Sequence, residues 1–251
     1  MEETDVLIIG GGPAGAVAAL TLAQSGRNCV VIEAQTAPVW KIGETLAPES
    51  RQILQGLGLW AEFEKGGHLP SPGNCSAWGG DDLAAKDFIF TPHGGAWQLD
   101  RPEFERMLLS AAVKAGAKMR PGHGFQTLEH RAEGWAVAAG QNKFHAQWLI
   151  DASGRASAVA RHLGIVREIV DKLVAIFAIG SSPSLPDADA RTYIEACADG
   201  WWYSALVPGQ RRIFAFLTDA DLLPGQQWRE PRWFRERLSA TRHIRTLFES
   251  P

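Results

Sequence analysis

The stretch that decides the fold is DVLIIGGGPAG, at Asp5–Gly15. Its first five residues form a short apolar run rich in β-branched side chains, which is typical of a buried parallel strand. Pro13 suits the first turn of a helix, because an N–H at that position would have no helical acceptor. A helix over Ala14–Gln24 and a second buried strand over Asn28–Ile32 then complete a βαβ unit.

The turn of this unit matches the pattern G-x-G-x-x-G. Gly10 permits the tight turn, Gly12 lets backbone approach a pyrophosphate, and Gly15 lets the helix pack close to the strand. The helix N-terminus faces the phosphates with unpaired N–H groups. Glu33, at the end of the second strand, can accept both hydroxyls of an adenosine ribose. Together these features predict a dinucleotide site, and a glycine-rich turn without a ligand is the alternative.

The composition is that of a folded protein and excludes a disordered chain. The chain has 251 residues, of which 45% are hydrophobic and 21% are charged. At about 150 residues per domain this predicts one large domain or two small ones. The net charge of -3 offers no basic field to a polyanion, so we expect no nucleic-acid partner.

Neither a membrane segment nor a metal site is expected. The uncharged run Val6–Ala23 has the length of a membrane span, but three consecutive glycines and Pro13 interrupt it and acidic residues precede it. The three cysteines are widely spaced without a CxxC pair, which predicts reduced thiols in a cytoplasmic protein. His68 and His93 have no partner at metal-ligand spacing.

Beyond this unit, both helices and strands are predicted up to residue 150, and mostly strands are predicted after residue 170. Short helices are predicted at 49–57 and 60–65, an irregular segment at 66–80, and an amphipathic helix over Arg101–Ala115. Two or three strands fill 117–150. Further strands are predicted at 173–180, 191–197, 201–207 and 211–218, and a single last helix begins at Pro231 and runs close to the chain end.

Four motifs occur in the order of a known flavoprotein family. They are Gly10–Gly15 with Glu33, KIGETLAP at Lys41–Pro48, LDRPEF at Leu99–Phe104 and DASGR at Asp151–Arg155. In this order the chain resembles the single-component flavoprotein monooxygenases and flavin-dependent halogenases of the p-hydroxybenzoate hydroxylase fold. This resemblance, and not the spacing alone, selects FAD over NAD as the bound dinucleotide.

Three further motifs resemble a halogenase-like subgroup. They are GGHLPSPG at Gly66–Gly73, SAWG at Ser76–Gly79 and DGWWYS at Asp199–Ser204. The subgroup includes flavoproteins that modify tryptophan residues in quinone-cofactor enzymes. The implied fold class is α/β, with a Rossmann-like FAD/NAD(P)-binding βαβ domain and an interleaved β-rich substrate domain. We expect the FAD domain at 1–70 and 96–166, and the substrate domain at 71–95 and 167–251.

The resemblance also implies which residues contact FAD. Gly43, Glu44 and Thr45 would line the flavin ring pocket, and Arg101 would lie near the diphosphate, with a solvated arginine as the alternative. Asp151 and Gly154 would close the strand that passes the dinucleotide. A cap of the following helix is the alternative role of Asp151, and the two roles can coexist. The whole implied set is Gly10, Gly12, Pro13, Ala14, Gly15, Glu33, Ala34, Lys41, Gly43, Glu44, Thr45, Arg101, Asp151 and Gly154.

The candidate catalytic residues are Lys65, Trp201 and Trp202. In an alternating strand Trp201 and Tyr203 share one face and Trp202 takes the other, where core packing is the alternative role for each tryptophan. A halogenase typically reads G-W-x-W-x-I-P here, so Tyr203 in place of the second tryptophan favours hydroxylation. Lys65 lies roughly where halogenases keep the lysine that handles hypohalous acid, and a solvated lysine is the alternative.

The implied activity is that of a monooxygenase acting on a small or peptidyl aromatic substrate, with tryptophan-type rings included. Reduced flavin, with NAD(P)H as one electron donor to test, would react with O₂ to a C4a-hydroperoxide that hydroxylates the ring. The alternatives are a halogenase and an FAD-binding fragment without turnover. The fragment is considered because the second Gly-Asp motif of the fold does not follow Gly154, so its C-terminal third is expected to be absent. The oligomeric state stays open.

Overall fold

The computed structural model describes residues 1–181 and 189–248, and the chain divides into two compact units. Unit 1 comprises Met1–Ile42, Leu57–Gly66 and Arg101–Glu168, and unit 2 comprises Gly43–Gly56, Gly67–Asp100 and Ile169–Pro251. The expected substrate segment 167–251 includes 182–188 and 249–251, which lie outside the described residues.

The elements have the following bounds. The strands are β1 (Glu2–Ile9), β2 (Cys29–Glu33), β3 (Thr45–Leu46), β4 (Leu69–Ser71), β5 (Gly73–Ala77), β6 (Ala84–Asp87), β7 (Ala96–Gln98), β8 (Lys118–Pro121), β9 (Phe125–Arg131), β10 (Gly134–Ala139), β11 (Asn142–Asp151), β12 (Leu173–Ser181), β13 (Thr192–Cys197), β14 (Gly200–Val207) and β15 (Arg211–Asp219). The α-helices are α1 (Pro13–Gln24), α2 (Ser50–Gly56), α3 (Trp60–Phe63), α4 (Arg101–Lys114), α5 (Ala158–His162), α6 (Pro231–Ser239) and α7 (Ile244–Phe248).

Unit 1 is built on a six-stranded sheet in the order β8-β2-β1-β11-β10-β9. Strand β1 pairs in parallel with β2 on one side and with β11 on the other, while β9 and β10 add an antiparallel edge. The chain therefore leaves β1 toward one neighbour and returns to it from the other side. Such a reversal opens a crevice at the carboxyl ends of the strands, where open α/β sheets bind ligands.

Apolar residues on both faces of β1 and β2 explain why these strands are central. Leu7 and Val30 are buried on one face in a cluster with Phe144, and Ile8 and Val31 are fully buried on the other face. The helix α1 packs against α4 and β2. Its small residues Ala16 and Ala19 are fully buried, so the helix can approach closely. The predicted βαβ unit is thus present with its expected elements.

Unit 2 contains a six-stranded sheet in the order β12-β15-β14-β13-β5-β6 and a small sheet β3-β7-β4. All pairs of the larger sheet are antiparallel except β13 with β5. One face packs against α6 and α7, and its buried cluster includes the following residues: Trp202, Phe214, Phe216, Phe234, Leu238 and Ile244. The predicted strand-rich half is therefore present, with strands within two residues of the expected bounds.

Two expectations about local structure are wrong. The segment 66–80 is not irregular, because β4 pairs with β7 and β5 pairs with β13 and β6. Such distant partners override the local turn signals of proline and glycine. The last helix is interrupted, since α6 ends at Ser239 and α7 begins at Ile244. In this break the Glu195 carboxylate accepts hydrogen bonds from the backbone N–H groups of residues 242–244, at 2.5–2.9 Å.

Candidate functional site

The glycine turn lies at the carboxyl edge of the sheet in unit 1, and its spacing leaves no room for side chains at two positions. A Cβ on Gly10, which has φ +107°, would lie 2.4 Å from the Ala152 carbonyl oxygen. A Cβ on Gly15 would lie 1.9 Å from the Gly10 carbonyl oxygen. The Gly10 N–H also donates to the Ile32 carbonyl at 2.8 Å. These close backbone contacts explain the glycine requirement of the turn.

The middle glycine faces open space at the start of α1. A Cβ on Gly12 would meet no heavy atom of the described residues within 4 Å. Pro13 occupies the first helical position, no described side chain caps the helix, and its first turn carries no acidic residue. The N–H groups of Ala14 and Gly15 therefore point toward this space with a partial positive charge. The arrangement fits an anion such as a pyrophosphate.

A carboxylate lies beside this opening. Glu33 accepts hydrogen bonds from the Gly11 N–H at 2.6 Å and from the Gln35 N–H at 2.9 Å, one on each oxygen. Each oxygen retains a lone pair for a further donor, as a ribose hydroxyl would supply. A groove of about 180 Å³ runs from here, and Ala34 lies exposed beside it. The groove is lined by Gly11, Gly12, Glu33, Gln35, Thr36, Ala37, Pro38, Val39, Lys41, Glu105, Leu109, Met119 and Pro121.

A buried glutamate holds two of the expected cofactor-binding cations. The Glu105 carboxylate, almost fully buried, pairs with Lys41 Nζ at 3.2 Å and with Arg101 Nη2 at 2.7 Å. The sequence interpretation passed over Glu105, although it stands four residues after Arg101 on one helix face, where such pairs form. The pair fixes the Lys41 ammonium at the wall of the groove.

Asp151 caps the first turn of α5 from outside the helix, which is the alternative role considered for it, while Ser157 is the N-cap residue by position. Its Oδ1 accepts from the backbone and hydroxyl of Ser153, and its Oδ2 accepts from the N–H groups of Val159 and Ala160 at 3.2 Å. Burial alone would raise the pKa of Asp151, but these hydrogen bonds outweigh it and lower the pKa below its usual value. Gly154 follows with φ +64°.

We expect Asp151→Ala to lower the free energy of unfolding by about 1–2 kcal/mol at neutral pH, as the loss of a helix cap does. Because the folded pKa is lowered, the stabilisation is fully present above about pH 4 and is lost as the pH falls through the folded pKa. Urea unfolding across pH should therefore show wild type and variant converging in acid. The exposed aspartate variant Asp82→Ala is the control. A constant difference at every pH would contradict the assignment.

The Gly43-Glu44-Thr45 segment belongs to unit 2 and is tied to β7. Gly43 has φ +103°, and the buried Glu44 accepts from the Leu99 N–H through its carbonyl at 2.8 Å. The Thr45 hydroxyl contacts Gln98 Oε1 at 3.0 Å and the Tyr203 hydroxyl at 2.8 Å. Gln98 was not among the expected site residues, and its only sequence signal is a polar side chain directly before the LDRPEF motif.

The three candidate catalytic residues lie in different surroundings. Lys65 is in unit 1, with its side chain 75% exposed and its Nζ 3.9 Å from Glu62. Trp201 is partly exposed and makes an edge contact with Trp78, with ring centroids 6.2 Å apart. Trp202 is buried on the other face of β14, where it packs against aromatic rings of the core. The alternation predicted for Trp201 and Trp202 is therefore present.

The described residues contain neither a membrane-spanning helix nor a cluster of metal ligands. Within 1–181 and 189–248, no helix combines the length and the apolar character needed to cross a bilayer. In the same part of the chain, no group of three or more His, Cys, Asp or Glu side chains is arranged to hold a metal ion.

Comparisons with known proteins agree with the geometry of unit 1. The putative FAD-dependent oxidoreductase LodB of Marinomonas mediterranea is 30% identical over 230 residues, which are 89% of this chain and 62% of that protein. The flavin-dependent halogenase armH2 of Armillaria mellea is 28% identical over 242 residues, 88% of this chain and 46% of that protein. The chain thus spans about half to three fifths of these curated relatives.

Solved structures share the fold. The myxobacterial chondrochloren halogenase CndH superimposes with a TM-score of 0.86 at 23% identity, covering 99% of this chain and 60% of that one. The match confirms the expected α/β class with an FAD-binding fold. The model of the FAD binding domain family matches residues 3–241, nearly the whole chain. With the glycine cradle and the groove at Glu33, this match establishes that the chain belongs to the FAD binding domain family.

Proposed function

We propose that this chain carries the cofactor- and substrate-binding parts of an FAD-dependent monooxygenase that hydroxylates an aromatic ring. The observation that carries the proposal is the opening at Gly12, which leaves free space before an uncapped helix and beside the Glu33 groove. An FAD domain at 1–70 and 96–166, with a substrate domain at 71–95 and 167–251, is part of the same proposal.

The chain's own residues would bind and orient the cofactor. The glycine turn and Glu33 would hold the adenosine diphosphate half, with Lys41 and Arg101 as cations near it. The Gly43–Thr45 segment would face the flavin ring, and the Asp151 cap would keep the end of β11 in place. When bound, FAD would supply electrons to dioxygen, and the protein would contribute position and exclusion of water.

Hydroxylation is favoured by the residue at position 203. The halogenase pattern has a second tryptophan there, whereas this chain has a tyrosine whose hydroxyl is bound to Thr45 at 2.8 Å. The resemblance to the tryptophan-modifying subgroup and the 30% identity to LodB also support hydroxylation. The substrate class we propose is therefore an aromatic ring, free or within a peptide, with tryptophan included.

Halogenation is the second candidate, because armH2 and CndH are halogenases by name. In that reading Lys65 would relay an oxidised halide. Its 75% exposed side chain argues against this role, since an oxidised halide must be kept from water. A chain that binds FAD without turnover is the third candidate, given its partial coverage of its relatives.

The test begins with the visible absorption spectrum of the purified chain before and after addition of FAD. We expect a bound oxidised flavin in near-equimolar amount. The protein is then incubated with tryptophan derivatives, FAD, NAD(P)H, a flavin reductase and O₂, with and without bromide. The product masses are measured by mass spectrometry. Monooxygenation inserts one oxygen atom without halide. A brominated product that disappears in Lys65→Ala would instead establish a halogenase, and a protein that takes up no flavin would overturn both.

A further inference from the structure

The Tyr203 hydroxyl in unit 2 belongs to a hydrogen-bonded chain with a defined direction. The Thr45 hydroxyl donates to Gln98 Oε1 at 3.0 Å, and Gln98 Nε2 donates to Thr192 Oγ1 at 2.9 Å. A threonine hydroxyl has one proton. Because Thr45 gives that proton to Gln98, it can only accept from Tyr203 at 2.8 Å. The phenol proton of Tyr203 is therefore committed to Thr45.

This hydrogen-bonded chain is buried at one end, and Thr45 is its exposed member. Gln98 and Thr192 are buried, and Thr45 stands directly opposite Gln98 in the pairing of β3 with β7. Burial raises the pKa of Tyr203 to about 12, and the nearby Glu44 adds to the shift. The phenol is thus protonated at neutral pH and keeps its direction. Its oxygen has lone pairs left for a donor from outside the chain.

The face of the sheet that carries Tyr203 also carries apolar side chains on neighbouring strands. In the register of the strands, Tyr203 stands opposite Ala215, and Ala215 stands opposite Phe177 of the edge strand β12. Trp201, two residues before Tyr203, lies on this face and meets Trp78 edge to face. Trp78 and Phe177 are 63% and 43% exposed, respectively. A planar ring could pack on such side chains.

We propose that Tyr203 determines specificity by accepting a hydrogen bond from a ring N–H or O–H of the aromatic substrate, with Thr45 and Gln98 as the positioning residues that fix its direction. The inference deepens the proposed function and rests on it for the identity of the site. An aromatic substrate without a ring donor would leave the Tyr203 oxygen unpaired against an apolar ring, at the usual penalty for a lost hydrogen bond.

The test compares two ligands that differ in the ring donor alone. N-acetyl-tryptophanamide and its benzothiophene analogue, in which sulfur replaces the ring N–H, are titrated into the FAD-saturated protein by calorimetry. We expect the indole to bind about five- to tenfold more tightly to wild type, the worth of one hydrogen bond. In Tyr203→Phe the ratio of the two dissociation constants, benzothiophene analogue to indole, should fall to near one. Tyr193→Phe, the same change at the chain's other tyrosine, should keep it.

A second variant protects the test against misfolding. Thr45→Val keeps the Tyr203 ring but removes the acceptor of its hydroxyl proton. The phenol can then turn and donate to a ligand, so the ratio of the two dissociation constants should fall toward one. Equal binding of both ligands to wild type, no binding of either, or a preference that persists in Tyr203→Phe would each overturn the proposal. Because calorimetry needs no turnover, loss of hydroxylation with an intact preference would instead count against the proposed function alone.

Discussion

Gly12→Ala is expected to keep the fold and to weaken FAD binding, whereas Gly15→Ala is expected to impair both the fold and FAD binding. A methyl group at Gly12 meets no described atom, and its backbone, at φ -68°, suits alanine. The variant should lose no more than about 1 kcal/mol of stability through a poorer helix cap. The same methyl group occupies the space before the helix N-terminus, so we expect the Kd for FAD to rise tenfold or more, a loss of about 1.4 kcal/mol.

Gly15→Ala differs because its methyl group would lie 1.9 Å from the Gly10 carbonyl oxygen, a backbone atom that cannot rotate away. Displacing α1 from β1 should cost about 3 kcal/mol or more. Thermal unfolding followed by circular dichroism, together with titration of flavin fluorescence, separates the two effects. Gly56→Ala, where a Cβ also meets no described atom, is the control. Unchanged FAD affinity in Gly12→Ala would contradict the assignment of the opening at Gly12 to the cofactor site.

Trp202→Ala is expected to be the most destabilising change in unit 2, at about 3–5 kcal/mol. Its ring is 1% exposed and lies 5.1 Å, centroid to centroid, from both Phe216 and Phe234. Trp201→Ala removes a partly exposed ring and one edge contact with Trp78, which together are worth about 1 kcal/mol. Urea unfolding followed by near-ultraviolet circular dichroism should therefore separate the two neighbours clearly.

The comparison decides how loss of activity at these positions is to be interpreted. If Trp202→Ala is inactive and partly unfolded, its inactivity reports packing and gives no evidence of a chemical role. Trp201→Ala is expected to be folded, so a weaker affinity for the aromatic ligand would report a direct contact. Similar unfolding midpoints for both variants would contradict the assignment of Trp202 to the core. Trp202→Phe, which keeps an aromatic ring of smaller size, should recover most of the lost stability.

The elements that the sequence predicts best are those whose signals are local. The βαβ unit follows from an apolar run, three glycines and Pro13, all within one short stretch. Strands β4 and β5 were missed because their partners β7 and β13 lie far along the chain, and their prolines and glycines are typical of loops. Pairing with distant strands decides such segments, and no local pattern reveals it.

The candidate site divides in the same way. Spacing was sufficient to propose Gly12 and Glu33, because a phosphate cradle and a ribose carboxylate recur at fixed offsets. Glu105 and Gln98 could not be proposed with the same ease, since their roles depend on which side chains the fold brings to them. Glu105 has its role through the ion pair with Lys41, and Gln98 has its role through hydrogen bonds with Thr45 and Thr192.

The strand order of unit 2 has a consequence for how the chain acquires its structure during synthesis. Strand β5 completes its hydrogen bonds with β13 by pairing Asn74 with Thr192, and no nearer strand of this sheet except β6 is available to it. A ribosome must therefore release most of the chain before β5 has its second neighbour. Such non-local pairing slows folding and prolongs the exposure of an unpaired edge. We expect nascent chains ending before β13 to need chaperone protection and to be cleaved readily at 73–87.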